Sequence, residues 1–243
     1  MKFHIFGFFL LIIPFLVNGN QVGITNDNPD GIYYVIAPSG LNLRVSSDAK
    51  SAKIGHIPYG EALELASPSF DISLEIDQIL GGMADVNYKG KRGYVFDGYL
   101  SRFPASKEIE TEAFVEQVRD LGYEVLFEEH RMDWGGYIQY ETAFTLPGEE
   151  WPEAFLIAQQ HFDIPKSFLF PKPNAEGEKE VTVENPKKSE NEWQDSMTII
   201  YDKNGQLTAI EYGKRAEGFG KAVTLSFSKE NSGIRIAQIE IVD

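Results

Sequence analysis

Between Ile32 and Phe103 the chain alternates short apolar runs with turn residues: IYYVIA at 32–37, PSG at 38–40, LNLRV at 41–45, SSDAKSAK at 46–53, IGHI at 54–57, PYG at 58–60 and EALELA at 61–66. Leu41 and Leu43 fall on one side of their run with Asn42 and Arg44 on the other, and Leu63 and Leu65 flank Glu64 in the same way. A period of two marks half-buried strands, and several such strands at short spacing predict a small all-β barrel. After a longer irregular stretch, Ser67 to Gly82, the pattern resumes from Met83 to Leu100 as MADVNY, KGKR and GYVFDGYL. Tyr88-Lys-Gly-Lys-Arg-Gly93 supplies a tight hairpin, because glycine takes positive φ at no steric cost.

Four blocks of this region carry a resemblance: G-L-N-L-R at 40–44, I-G-x-I-P-Y-G at 54–60, V-N-Y-K-G-K-R-G-Y-V at 86–95 and G-Y-L-S at 98–101. In this order they resemble the bacterial SH3-like (SH3b) domain, over about a third of the chain. The resemblance implies a small barrel, usually exported, that serves as a targeting or binding part beside another domain. In some members it binds peptidoglycan or its peptide stems. Met83 stands where many members carry Trp. Ser67–Gly82 reads as an insertion of about ten residues into a barrel that spans 32–104. Its apolar spacing at Phe70, Ile72, Leu74, Ile76, Ile79 and Leu80 predicts that it packs on something.

The amino terminus, MKFHIFGFFLLIIPFLVNG from Met1 to Gly19, has one basic residue, an apolar run from Ile5 to Val17, and then small or polar residues. It reads as a secretory signal peptide over 1–19, since an apolar run of about 13 residues broken by Pro14 is short for ~30 Å of hydrocarbon. No stable membrane span is expected after its removal. The 243 residues hold 22 Lys and Arg against 37 Asp and Glu, a net charge of −15; loss of Lys2 with the signal makes it −16. Such a chain repels a phosphate backbone, which argues against nucleic acid as a partner. With no Cys, disulfides, thiolate nucleophiles and thiolate metal sites are excluded. An exported chain without bridges fits a bacterial envelope, periplasmic or extracellular, better than a eukaryotic secretory route.

Residues 106–243 predict an α+β domain of no recognised family. Ser106 suits an N-cap, and Ile109, Ala113, Phe114, Val118 and Leu121 recur at helical spacing before Gly122. Tyr123–His130 and Tyr137–Leu146 read as strands, and Glu150–Phe162 as a second helix with Pro152 tolerated in its first turn. The polar stretch Pro171–Glu192 reads as an exposed excursion with an edge strand at Val181–Val183. Ser196–Tyr201, Leu207–Tyr212, Ala222–Phe227 and Ile234–Val242 then read as an antiparallel meander sheet, and two helices on it complete the domain. Few contacts are expected to cross the boundary near Pro104–Lys107.

Catalytic patterns are sparse. No G-x-S-x-G occurs for a nucleophile elbow, and no H-E-x-x-H for zinc. After the signal, only His56, His130 and His161 remain; His130 and His161, with Asp163, are a conceivable metal pair, but half-exposed ends of elements explain them better. Asp202-Lys-Asn-Gly205 starts like a calcium loop, yet its twelfth position is Gly213, so it reads as a hairpin turn. Glu128 and Glu129 are adjacent in a strand and so point to opposite faces. The acidic runs Glu108–Glu112 and Glu149–Glu153 read as helix amino termini and solvated faces.

Binding is the remaining chemistry. Tyr33, Tyr34, Tyr59, Tyr94, Phe96 and Tyr99 crowd the first segment, and aromatics with a polar tip suit a groove for a peptide or sugar, with half of them expected to be core. If Val95 faces inward, Tyr94 and Phe96 face outward. Arg44 is the cation placed to meet a carboxylate ligand or to pair with a local acid. Arg44, Tyr94, Phe96 and Tyr99 are therefore the expected binding residues, with no catalytic residue, metal ligand or cofactor assigned. The expected function is that of an exported, non-enzymatic envelope protein whose barrel binds peptidoglycan or a protein partner. The alternative is a cell-wall hydrolase or modifying enzyme with its catalytic part in 106–243. A third reading is an inhibitor or assembly factor that turns its acidic surface to a basic partner.

Overall fold

In the computed structural model, which describes residues 28, 31–69, 71–105, 110–174, 177–228 and 232–242, the alternating runs of the first segment are strands. They are β1 (Ile32–Val35), β2 (Leu41–Arg44), β3 (Lys53–Ile57), β4 (Ala62–Ser67), β5 (Leu74–Ile76), β6 (Ile79–Gly81), β7 (Met83–Tyr88), β8 (Lys91–Phe96) and, after a 3-10 turn at Asp97–Tyr99, β9 (Leu100–Ser101). Tyr33, Val35, Leu41, Leu43, Leu63, Val86 and Val95 turn to one side and are buried, as their period of two requires. Lys89 and Gly90 join β7 to β8 with φ of 51° and 80°, the pair of positive angles that matches the twist of a two-residue hairpin.

Seven of these strands pair antiparallel in the order β3-β2-β8-β7-β4-β1-β9. Among the described residues no pairing joins β3 to β9, so the sheet is open where a closed barrel was expected; β9 offers only two residues for a closing ladder. The insertion contains a small hairpin of its own, β5 with β6, turning at Asp77 and Gln78, whose φ values are 52° and 67°. Ile79 is buried beneath it and Leu74 packs against the core, while Phe70 lies outside the described residues.

The second segment is α1 (Thr111–Asp120), β10 (Phe127–Asp133), β11 (Ile138–Pro147), α2 (Trp151–His161), β12 (Glu180–Glu184), β13 (Glu192–Tyr201), β14 (Leu207–Ala216), β15 (Phe219–Ser228) and β16 (Gly233–Val242). The meander β13–β16 forms as expected, with the β10–β11 hairpin added beside β16 and β12 as the opposite edge, in the order β10-β11-β16-β15-β14-β13-β12. The strand expected at Tyr123–His130 lies later in the chain, at Phe127–Asp133, where Phe127 pairs with Phe144 and packs against the core while most of the strand is exposed. The helix α1 begins at Thr111 with Glu110 before it; Ser106 and Ile109 are outside the described residues, as is the signal segment 1–19. Gly122, at φ 89°, stops α1 after one amphipathic face, Phe114, Val115 and Val118, is buried. Among the described residues no helix is long and apolar enough to cross a membrane.

The helix α2 is buried from Trp151 through Gln159, so it has no solvated face. It lies between β15–β16 on one side and the Asp97–Tyr99 turn on the other, and through it a common core runs across both segments. The expectation of few contacts at the boundary is therefore corrected. Arg102 reaches Glu153 at 2.9 Å and Glu150 at 2.7 Å, the Ser101 hydroxyl and Arg102 N–H donate to Glu153 Oε1 at 2.9 and 2.7 Å, and the fully buried Phe103 meets Tyr123 edge-on at 5.2 Å. The Glu149–Glu153 run stands at the amino terminus of α2 as expected, with Glu149 exposed, but Glu153 is not solvated, because it turns inward to these donors. Burial works against the Arg102 charge, but the Glu153 and Glu150 carboxylates outweigh it and hold the guanidinium protonated above its ordinary value.

Removing one member of a buried pair strands the other. Glu153→Ala is expected to destabilise the protein by about 3–5 kcal/mol. Urea unfolding followed by tryptophan fluorescence, which reports only the second segment through Trp134, Trp151 and Trp193, and by far-ultraviolet circular dichroism should shift together. Transitions that separate would show that the two segments do not share one cooperative unit.

Candidate functional site

The residues expected to bind converge on one side of the first sheet. Arg44 at the end of β2, Phe96 at the end of β8 and Tyr99 in the following turn line a cavity of about 250 Å³, together with the Pro38–Leu41 loop and the hairpin tip at Ile76 and Asp77. Tyr94 lies in a neighbouring cavity of about 500 Å³ with Lys50, Asp71 and Asp85; Ala49 and Met83 belong to both cavities. The closeness of Arg44 and Tyr94 follows from strand pairing, since they are partners in the β2–β8 register.

Each side chain has a physical reason for its position. The Arg44 guanidinium donates to Ser51 O at 2.5 Å and has no carboxylate partner among the described residues, leaving its charge available to an anion. The nearby Asp85 is taken by Arg92, at 2.9 Å from Nε and 2.6 Å from Nη2. Tyr99 donates its hydroxyl to Asp77 Oδ2 at 2.5 Å, and burial pushes its phenol pKa well up. Phe96 meets Tyr99 at 5.7 Å in an edge-to-face contact.

Phe96 corrects the outward placement read from alternation. Val95 is fully buried as expected, yet Phe96 is only 5% exposed. The insertion hairpin folds back over it, and the ring lies against Gly81 and Gly98, where a Cβ would come within 2.8 Å and 2.6 Å of it. Glycine at both positions is what lets the backbone approach an aromatic ring so closely. Tyr94 is half-buried, Tyr33 is core, and Tyr34 and Tyr59 are half-buried.

Asp97, missed in the sequence reading, holds this arrangement. Fully buried, it accepts the Gly82 N–H at 2.7 Å and the Ser69 hydroxyl, tying both ends of the insertion to the turn that carries Tyr99. Burial raises its pKa, against those same hydrogen bonds, which lower it. An Asp-Gly step directly after a strand was the signal available for it.

The conceivable histidine pair does not assemble. His130 is exposed on edge strand β10 opposite Glu141, on the face away from the helices. His161 packs among Phe114, Phe144 and Phe162 and shares a 2.9 Å hydrogen bond with Thr111 Oγ1. Asp202 accepts the Asn204 and Gln206 N–H groups at 2.8 and 2.9 Å, a closed hairpin turn, and Glu128 pairs with Arg235 at 2.7 Å.

Burial pushes the His161 pKa down to about 4, with Asp163 opposing. The native protein thus resists a proton that the unfolded chain takes up near pH 6.5, so stability falls as pH drops from about 6.5 to 4 and this contribution levels off below. The expected loss is about 3 kcal/mol. Denaturant titrations at several pH values should show a shallower acid limb in His161→Gln than in the unaltered protein. Parallel limbs would remove His161 as the cause.

No family model, curated protein or solved structure matches this chain.

Proposed function

We propose that the protein is an exported, non-enzymatic component of the bacterial envelope, whose first sheet is an SH3-like module that binds a cell-wall component or a protein partner. The observation that carries this reading is the gathering of Arg44, Phe96 and Tyr99 around one cavity, with Tyr94 beside it. A guanidinium that has no carboxylate partner among the described residues, beside aromatic edges, suits a ligand that presents a carboxylate next to an apolar or sugar surface. The four SH3b-like sequence blocks support the same reading, since three of them contribute Arg44, Tyr94 and Tyr99. The second segment then supports the module through the Arg102 and Glu153 contact and gives it a rigid base.

Cell-wall sacculi incubated with the purified protein test this directly. Co-sedimentation without release of soluble fragments is the expected outcome; soluble muropeptides would overturn the reading in favour of a wall-degrading enzyme. Arg44→Ala and Tyr94→Ala should each lower retention by about 1–2 kcal/mol while leaving the melting curve nearly unchanged. Phe96→Ala should instead destabilise the fold by about 3–5 kcal/mol, as loss of a buried aromatic does. Full retention in stable Arg44 and Tyr94 variants would move the ligand elsewhere on the molecule.

A further inference from the structure

The outer strand of the second sheet presents another kind of surface. β12 pairs with β13 on one side and, among the described residues, with no strand on the other. Its free edge offers backbone N–H and C=O groups in series, which an extended backbone satisfies and a sugar or lipid does not. Protein edges are usually blunted by charged side chains, Pro or bulges. The opposite edge, β10, follows that rule with Glu128, Glu129, His130, Arg131 and Asp133 along its length. β12 reads EVTVE, without Lys or Pro, and its register with β13 runs from Glu180 opposite Ile200 to Glu184 opposite Ser196 without a shift.

The same register shows what lies beneath the edge. Val181 and Val183 stand opposite Ile199 and Met197, on the face that holds the core, while Glu180, Thr182 and Glu184 turn to the other face. These four apolar residues floor a cavity of about 500 Å³ walled by the 167–174 loop. The wall is held in place: Gln159 Nε2 donates to Phe168 O, Ser167 Oγ to Asn185 Oδ1 and Tyr201 Oη to Lys172 O, each at 2.9 Å. The groove is therefore formed before anything enters it, and Val183, 42% exposed, sits on its floor facing solvent.

We propose that β12 and this groove are a docking site for an extended segment of a partner protein, which adds to the sheet as a further strand. Apolar side chains at alternate positions enter the groove beside Val181 and Val183, and Lys or Arg side chains between them meet Glu180 and Glu184 on the other face. The backbone edge selects a polypeptide, the groove selects the alternation, and the two glutamates select the charge. The net charge of −15 draws a basic segment to the same protein. Lys188 meets Glu184 at 2.8 Å, an exposed pair that an incoming cation exchanges at little cost. A second copy of β12 is the wrong occupant: antiparallel pairing centred on Thr182 sets Glu180 against Glu184 twice.

A short synthetic peptide alternating Lys and Val tests the site on the full chain. Hydrogen exchange should show new protection of the Glu180–Glu184 amides, with binding weakened more than about tenfold by Val183→Asp. The double change Glu180→Lys with Glu184→Lys should invert the preference toward a peptide alternating Glu and Val. A peptide methylated on alternate amide nitrogens should not bind, because it cannot complete the ladder. Protection elsewhere than Glu180–Glu184, equal binding of the methylated peptide, or indifference to both substitutions would overturn the proposal, and so would protection that grows with protein concentration in the absence of peptide. Retention on sacculi, measured on the same samples, reports the first-sheet site and stands or falls separately.

Discussion

A buried carboxylate, Glu153, is the contact on which the arrangement of the two sheets depends. Taking an ion pair out of water costs several kcal/mol per charge unless the geometry and further hydrogen bonds compensate. Here the compensation is dense: a serine hydroxyl, a backbone N–H and the Arg102 guanidinium all donate to one carboxylate, and the same Arg102 Nη2 also reaches Glu150. The acid also sits in the first turn of α2, where the helix dipole favours it. Apolar packing is not directional. The directional contact at Glu153 fixes the axial position of α2, and Gln159 on the same helix then fixes the loop that walls the second groove.

A second buried acid repeats the principle on a smaller scale. Of the insertion's described large apolar side chains only Ile79 is buried, and a two-stranded ribbon is marginal in isolation. Asp97 supplies what packing lacks by receiving a donor from each end of the insertion, and Tyr99 secures the tip through Asp77. Phe96 is sealed beneath as a consequence. An aromatic that alternation assigns to the surface becomes core because residues far along the chain cover it.

That contrast separates what was legible in the sequence from what was not. Leu41, Leu43, Leu63 and Val95 were read correctly because the period of two is a local property. The Lys89-Gly90 turn, the α2 helix and the meander strands were legible for the same reason. Phe96, Glu153 and the offset of β10 were not, since each depends on a partner distant in the chain: the hairpin over Phe96, Arg102 some 51 residues from Glu153, and Phe144 opposite Phe127. A carboxylate in a run of acids looks solvated until a single cation and hydroxyl turn toward it. The open edge of the first sheet was equally hidden, because alternation describes faces and carries no information about whether end strands meet.

The hairpin tip belongs to the walls of both grooves. Asp77 lines the cavity of Arg44 and Tyr99, while the next residue, Gln78, lines the cavity floored by Val181 and Val183. Proximity alone does not couple two sites: a ligand shifts an equilibrium only by its differential affinity for two arrangements. The tip is held by Tyr99, the base by Asp97, and the far wall by Gln159, Ser167 and Tyr201, so hydrogen bonds hold the walls of both grooves in the arrangement seen. Two neighbouring sites on a frame with one arrangement bind independently, and the simultaneous presence of a wall ligand and a protein strand would be limited by their bulk at the tip rather than by any change of shape.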